Sequence, residues 1–168
     1  SARGIVPGIN YVNSLTDQTD HDAMAELLEQ EKKRFKGNEI KDKVLGVVGL
    51  GAIGSLVAEM GLMMGMKVVG YDPALSVEAA WRLPSDVQRM ENLASLLGKS
   101  DYISLHLPVL PATRNLINKD SLANVKKGAR LLNFAREQIV DTAAVIEALD
   151  AGKLDRYITD FPTPELVG

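Results

Sequence analysis

The chain predicts an α/β domain built on a doubly wound parallel sheet of about six strands with helices on both faces. Three observations predict it. Short apolar runs alternate with helix-competent segments from Lys43 to Asp160, as strands joined by crossover helices do. The first run, Val44 to Val48, leads into Gly49-Leu50-Gly51-Ala52-Ile53-Gly54 and then a helical stretch, Ser55 to Met64. The second run, Met66 to Tyr71, closes on Asp72, 18 residues after Gly54.

Taken in order, residues 1 to 18 read as irregular, because Gly4, Pro7, Gly8 and Asn10 interrupt any period. Thr19 can cap a helix running from Asp20 to about Phe35, with Asp22 at the positive dipole end and Gly37-Asn38 stopping it. That helix is mostly polar, and its narrow stripe of Met24, Leu27 and Leu28 predicts packing against a neighbour rather than core burial. Residues 44–48 read as a strand, 53–64 as a helix and 67–71 as a strand. Ala79 to Trp81 form a short helical piece before Pro84, and Val87 to Met90 a short strand. Asn92 to Leu97 are helical and end at Gly98. Tyr102 to Leu107 form a strand closed by Pro108. Asp120 to Val125 form a short helix, with Lys126 and Lys127 at its negative end. Ala129 to Phe134 are the fifth strand. Asp141 caps helix 142–150, which Gly152 stops, and Tyr157 to Thr159 form the last strand, ending at Asp160. The default order of six such strands is 3-2-1-4-5-6. Met60, Met63, Met64 and Met66 recur at helical spacing and read as core filling. Glu29 to Lys36 read as a solvated face with i,i+4 pairs such as Glu29 with Lys33.

Length and composition bound the function. A chain of 168 residues fits one domain. At that size roughly 70 % of the unfolded surface is buried, so the core needs no staple. The absence of cysteine excludes disulfides and thiolate metal sites, and is compatible with the cytoplasm. No metal site is predicted. A net charge of −3 gives no attraction to nucleic acid or an anionic membrane. The longest uncharged stretch, Val44 to Ala58, is 15 residues with four glycines. It is too short to span about 30 Å of hydrocarbon. The opening Ser1-Ala2-Arg3 starts no charged-then-apolar leader.

In the setting strand, glycine turn, helix, strand, acid, residues 49–54 are the dinucleotide-binding fingerprint of a Rossmann fold. Gly49 permits the tight turn, Gly51 lets a pyrophosphate approach the backbone, and Gly54 lets the helix pack against the sheet. N–H groups near Ala52 and Ile53 would point at the phosphates. Asp72 would accept hydrogen bonds from both ribose hydroxyls. Its charge opposes a 2′-phosphate, so NAD is expected over NADP. Ligands of such sheets lie at the carboxyl ends of the strands, which gathers His106 to Pro108, Asn133 to Arg136, and Asp160. Arg136 can hold a carboxylate bidentately and polarise a carbonyl, or be a surface loop arginine. His106 can line the adenine side of the cleft, or simply hydrogen-bond at the strand end. Asp160 can accept from a nicotinamide amide, or form a turn. By itself Glu165 reads as a solvated tail residue, and His21 belongs to the polar helix.

Three segments, Val-Leu-Gly-Val-Val-Gly-Leu-Gly-Ala-Ile-Gly (44–54), Asp-Tyr-Ile-Ser-Leu-His-Leu-Pro (101–108) and Leu-Asn-Phe-Ala-Arg-Glu-Gln-Ile-Val-Asp (132–141), occur in order. Together they resemble the D-isomer-specific 2-hydroxyacid dehydrogenases, over essentially the whole chain. Tyr-Ile-Thr-Asp-Phe-Pro-Thr-Pro-Glu-Leu (157–166) is most similar to the bacterial branch of that family acting on D-3-phosphoglycerate, in serine biosynthesis. The resemblance implies an NAD-dependent oxidoreductase acting on a small 2-hydroxy acid. Glycerate or lactate is the alternative substrate, and a non-catalytic NAD-sensing scaffold the alternative role. It also implies a cytoplasmic homodimer, joined through helix 20–35 and its flanking arm.

By the same resemblance, Arg136 binds the substrate carboxylate and carbonyl, and Glu165 pairs with the catalytic histidine. Asp160 contacts the nicotinamide carboxamide, and Asn133 sets the loop that carries the arginine. Pro108 and Ala135 belong to the cofactor-lining strand ends. Two departures stand out. Glu137-Gln138 follows the arginine where the family usually has Gly-Gly or Gly-x. The family's histidine lies in a Pro-His motif beyond the position of Gly168, and neither His21 nor His106 matches it. The expectation is an NAD-binding domain excised from a longer chain. Residues 1–40 would be an arm and helix, 43–160 the core, and 161–168 the start of a return to a substrate domain.

Overall fold

The computed structural model describes residues 4–17 and 19–166, so expectations touching 1–3, 18, 167 and 168 lie outside it. The chain divides into two compact units, Ser1–Ile40 and Lys41–Gly168.

The first unit holds α1 (Ile5–Asn13), α2 (His21–Glu31) and a 3₁₀ turn, Lys32–Phe35. Helix α1 corrects the irregular reading of residues 1 to 18. Pro7 sits in its first turn, where the missing N–H would have had no intrahelical partner. The helix is held by the Gly4 N–H donating to the Phe35 carbonyl at 3.1 Å and by Tyr11 packing on Phe35, ring centroids 5.3 Å apart. Asp20, rather than Thr19, caps α2; its carboxylate accepts from the Asp22 and Ala23 N–H groups. No residue of α2 is buried, as its polar circumference predicts.

The second unit is the parallel sheet. Its strands are β1 (Val44–Val48), β2 (Lys67–Tyr71), β3 (Gln88–Arg89), β4 (Tyr102–Leu105), β5 (Ala129–Asn133) and β6 (Leu154–Thr159). Their spatial order is the expected 3-2-1-4-5-6, and every pairing is parallel. The connections carry α3 (Ala52–Met63), α4 (Val77–Trp81), α5 (Leu93–Lys99), α6 (Lys119–Ala123) and α7 (Thr142–Asp150). Asn92, Asn118 and Asp141 cap α5, α6 and α7 with their side chains. Central strands read as continuous apolar runs because helices cover both of their faces.

Two close approaches fix the layers. On one face α3 presses on β1 and β2, where a Cβ on Gly61 would stand 2.7 Å from a Leu45 methyl. On the other, α5 presses on β1, where a Cβ on Gly46 would stand 2.2 Å from the Ser100 hydroxyl and 2.6 Å from a Leu96 methyl. The main core includes Val48, Leu96, Leu97, Ile103, Leu105 and Leu131. Salt bridges decorate the opposite end of the sheet from the glycine turn. There Asp101 accepts from the Val44 N–H at 2.8 Å and from Lys126 at 2.6 Å.

Several boundaries move. β6 begins three residues earlier than Tyr157, because Leu154 is buried while the exposed Asp155 and Arg156 disguise the strand. β4 stops at Leu105, and β3 keeps only two paired residues. The methionine reading is corrected. Met66 is buried, but Met60, Met63 and Met64 face outward from α3 and its end, Met63 at 80 % exposure. The helical period shows that Met60, Met63 and Met64 share a side, and that side is the uncovered one.

The Gly46 contact yields a stability prediction. Gly46→Ala forces α5 off the sheet and lowers unfolding stability by about 1–3 kcal/mol in urea titrations. Unchanged stability would show slack at this contact that the structure does not have.

Candidate functional site

The site is assembled from the carboxyl ends of β1, β2, β4, β5 and β6. The glycine turn is clamped from both neighbours. The Gly49 N–H donates to the Tyr71 carbonyl at 2.9 Å, and the His106 N–H donates to the Val48 carbonyl at 2.8 Å. Gly49 has φ +92°, and a Cβ there would meet the His106 carbonyl oxygen at 2.7 Å. Gly54 brings the start of α3 close to the sheet, where a Cβ would also stand 3.4 Å from the His106 Cβ. Its Cβ would fall 1.8 Å from the Gly49 carbonyl, so it lets the turn fold onto the first turn of α3. Nothing lies within 4 Å of a Cβ on Gly51, which leaves an open approach to the backbone.

Gly51, Ala52 and Ile53 form the exposed rim. Helix α3 starts there with no side-chain cap, and the first intrahelical bond in this turn is from the Ser55 N–H to the Gly51 carbonyl. The leading N–H groups and the positive dipole end therefore face solvent and suit a diphosphate.

Asp72 stands at the end of β2, partly buried. One oxygen accepts from the Leu50 N–H at 2.8 Å, the other from the Ala74 N–H at 2.9 Å. Each oxygen keeps a lone pair for a further donor. The Leu50 contact is absent from the sequence reading, and nothing in the spacing signals it.

His106, just past β4, has its Nε2 2.8 Å from the Ser104 hydroxyl. Burial pushes its pKa below the ordinary value. Pro108 is exposed, and its carbonyl accepts from Thr113 at 2.7 Å.

Asn133 is fully buried at the end of β5. It donates to the Arg136 carbonyl at 3.0 Å, accepts from the Ala135 N–H at 3.2 Å and reaches the Tyr157 hydroxyl at 3.3 Å. Residues 133–136 are thereby fixed as a loop, with Tyr157 of β6 as a support the sequence did not reveal. The Arg136 side chain projects from this loop into solvent, and its guanidinium donates to the Ala135 carbonyl at 2.6 Å.

Asp160 follows β6 directly, and Asn133 pairs with Thr159, so the two loops are neighbours. Glu165 lies exposed in the 3₁₀ turn Pro164–Leu166. The Thr163 hydroxyl, and then its own backbone, hold its carboxyl below the usual range. His21 is exposed on α2, in the other unit. Among the described residues, no group of three or more His, Asp or Glu side chains could hold a metal. No described helix is long and apolar enough to cross a membrane.

A pH dependence follows for His106. Its folded pKa lies below its unfolded one, so the unfolded chain binds the proton first. The neutral ring's stabilisation is complete above the unfolded value and is lost as pH falls through it toward the folded pKa. Wild type should therefore lose stability relative to His106→Gln as pH drops below about 6.5 in thermal melts. Parallel pH curves would remove this histidine from the stability balance.

Comparison with known proteins agrees with this geometry. The family model for the D-isomer specific 2-hydroxyacid dehydrogenase, NAD binding domain, matches residues 10–167. D-3-phosphoglycerate dehydrogenase of Methanocaldococcus jannaschii is 40 % identical over 75 % of this chain and 24 % of its own length. Hydroxypyruvate reductase of Thermotoga maritima is 39 % identical over 81 % of this chain and 44 % of its own. D-lactate dehydrogenase of Aquifex aeolicus, solved with NAD and lactic acid, superposes with a TM-score of 0.76. That pair shares 30 % identity, over 99 % of this chain and 45 % of the other. The chain spans about a quarter of the length of the phosphoglycerate relatives it matches. With an open glycine turn, an uncapped helix start and a strand-end acid in place, the chain belongs to the D-isomer specific 2-hydroxyacid dehydrogenases, as their NAD-binding domain.

Proposed function

We propose that this chain serves a cytoplasmic dehydrogenase that moves a hydride between NAD and a small 2-hydroxy acid, D-3-phosphoglycerate by preference. The observation that carries the cofactor half is the Asp72 carboxylate tied to the Leu50 N–H beside the uncapped start of α3. The substrate preference draws on relatives named D-3-phosphoglycerate dehydrogenase at about 40 % identity. Glycerate and lactate remain the alternatives to be assayed beside it.

In this reading the main-chain N–H groups of Gly51 to Gly54 bind the diphosphate, and Asp72 orients the ribose. His106, Pro108, Asn133 and Ala135 border the cofactor, and Asp160 orients the carboxamide. Bound NAD supplies the carbon that accepts the hydride. Arg136 grips the substrate carboxylate with its planar fork and stabilises charge developing on the carbonyl oxygen. Its bond to the Ala135 carbonyl uses one of the five N–H donors of the guanidinium. Glu165, a carboxylate ionised at neutral pH, supports the positive charge of an imidazole that takes the hydroxyl proton.

The non-catalytic, NAD-sensing role is favoured by one observation, Glu137 placing a carboxylate directly after Arg136. A homodimer is part of the proposal. Large apolar side chains are exposed on α1 (Ile5, Val6, Ile9) and on α3 (Ile53, Leu56, Met60). Monomers rarely leave such stripes open.

Two measurements test the reading. NAD affinity by calorimetry should fall at least about tenfold in Asp72→Ala, which removes charge-assisted hydrogen bonds; equal affinity refutes the ribose role. In the full-length protein carrying this segment, Arg136→Ala should lower kcat/KM for D-3-phosphoglycerate by about 10²–10³. Full activity in that variant, or none on any 2-hydroxy acid in the unmodified protein, contradicts the enzymatic reading.

A further inference from the structure

His106 is packed against the start of α3, its Cβ 3.4 Å from where a Cβ on Gly54 would be. Gly54 carries one of the leading N–H groups of that helix, ahead of the first intrahelical bond. His106 and Ser104 are two residues apart on the chain leaving β4 and share a face. The buried Ser104 hydroxyl lies 2.8 Å from Nε2. Among the described residues the other ring nitrogen, Nδ1, has no hydrogen-bond partner.

The serine partner admits both charge states of the ring. Its hydroxyl donates to a bare nitrogen and accepts from a protonated one, simply by rotating. In the free protein burial favours the neutral ring, and the positive end of α3 acts in the same direction. The ionisable groups on the surrounding elements are Tyr71 and Asp72 at the end of β2, Glu59 on α3, Arg114 in the connection after β4, and Arg136 after β5. Tyr102 and Arg130 are bonded to each other farther down the same face of the sheet. Burial is the single cause acting on His106, so none of these charges sets its protonation. A half-buried, uncharged base thus stands beside amides that suit a diphosphate.

We propose that NAD binding draws a proton onto His106, so that affinity for the dinucleotide rises as pH falls. The proposal rests on the reading of residues 51–54 as the diphosphate cradle and adds a regulation of that site. An anion at the head of α3 offsets the helix dipole and favours an imidazolium beside it. By linkage, the imidazolium strengthens binding of the anion by the same factor. A unit charge about 8 Å from a part-buried ring changes its protonation equilibrium by about tenfold or more. The proton comes from solvent, and no bond of the dinucleotide changes.

The test is calorimetric titration of NAD at about pH 8 and about pH 6, the lower pH in two buffers of different ionisation enthalpy. Wild type should bind NAD about threefold more tightly at the lower pH, with uptake of about half a proton. His106→Gln keeps a hydrogen-bonding side chain that cannot take a proton, and should lose both effects. Proton NMR gives a second measurement needing no variant, because the chain has two histidines. Saturation with NAD should raise the titration midpoint of His106, with His21 on α2 as the internal reference. An unmoved midpoint in protein that binds NAD overturns the proposal, and so does a pH dependence that survives in His106→Gln. Proton release in place of uptake also overturns it, by placing the ring beside the nicotinamide cation instead of the diphosphate. Wild type that binds NAD at neither pH defeats the cradle reading itself, a failure distinct from the others.

Discussion

The carboxylate of Asp72 is the constraint on which the rest of the site depends. It accepts the Leu50 N–H from inside the glycine turn and the Ala74 N–H from the loop after β2. One side chain thus ties together the two segments that must face a dinucleotide. The turn itself has little freedom left. The Gly49 N–H is bound to the end of β2, and the chain beyond β4 presses on Gly49 from the other side. A group proposed to read the ribose is therefore also the group that sets the shape of the phosphate cradle. Selectivity and cradle geometry are coupled through one residue.

The same economy appears at the far side of the site. Asn133 is buried, and each polar end of its amide is used, on Ala135, Arg136 and Tyr157. A buried amide left unmatched costs about 1–3 kcal/mol, so the loop conformation and the satisfaction of Asn133 stand or fall together. Arg136 extends from a rigid base into solvent. Its placement comes from the backbone, and its guanidinium is exposed while bonded to the Ala135 carbonyl.

Much of this was legible in the residues. Parallel strands buried on both faces leave near-continuous apolar runs, and Gly49 to Gly54 between two such runs marks the turn. The cap at Asp141 announced its helix. Other features leave no local trace. Pro7 and Gly8 look like breakers, yet Pro7 falls in a helical first turn where it breaks no bond. Met60 and Met63 share a helix face, but periodicity cannot say whether that face is covered. Leu154 to Arg156 form part of an edge strand whose exposed charges hide it. The Leu50–Asp72 and Asn133–Tyr157 contacts depend on tertiary proximity. Only the folded sheet brings them together.

The central claim is that backbone amides of the glycine turn hold the diphosphate while Asp72 holds both the sugar and the turn. Amide hydrogen exchange with and without NAD measures this most directly. The account predicts slowed exchange at Leu50 to Gly54 and at Ala74 on NAD addition. Slowing confined to other segments, with these amides unchanged under saturating NAD, would contradict it.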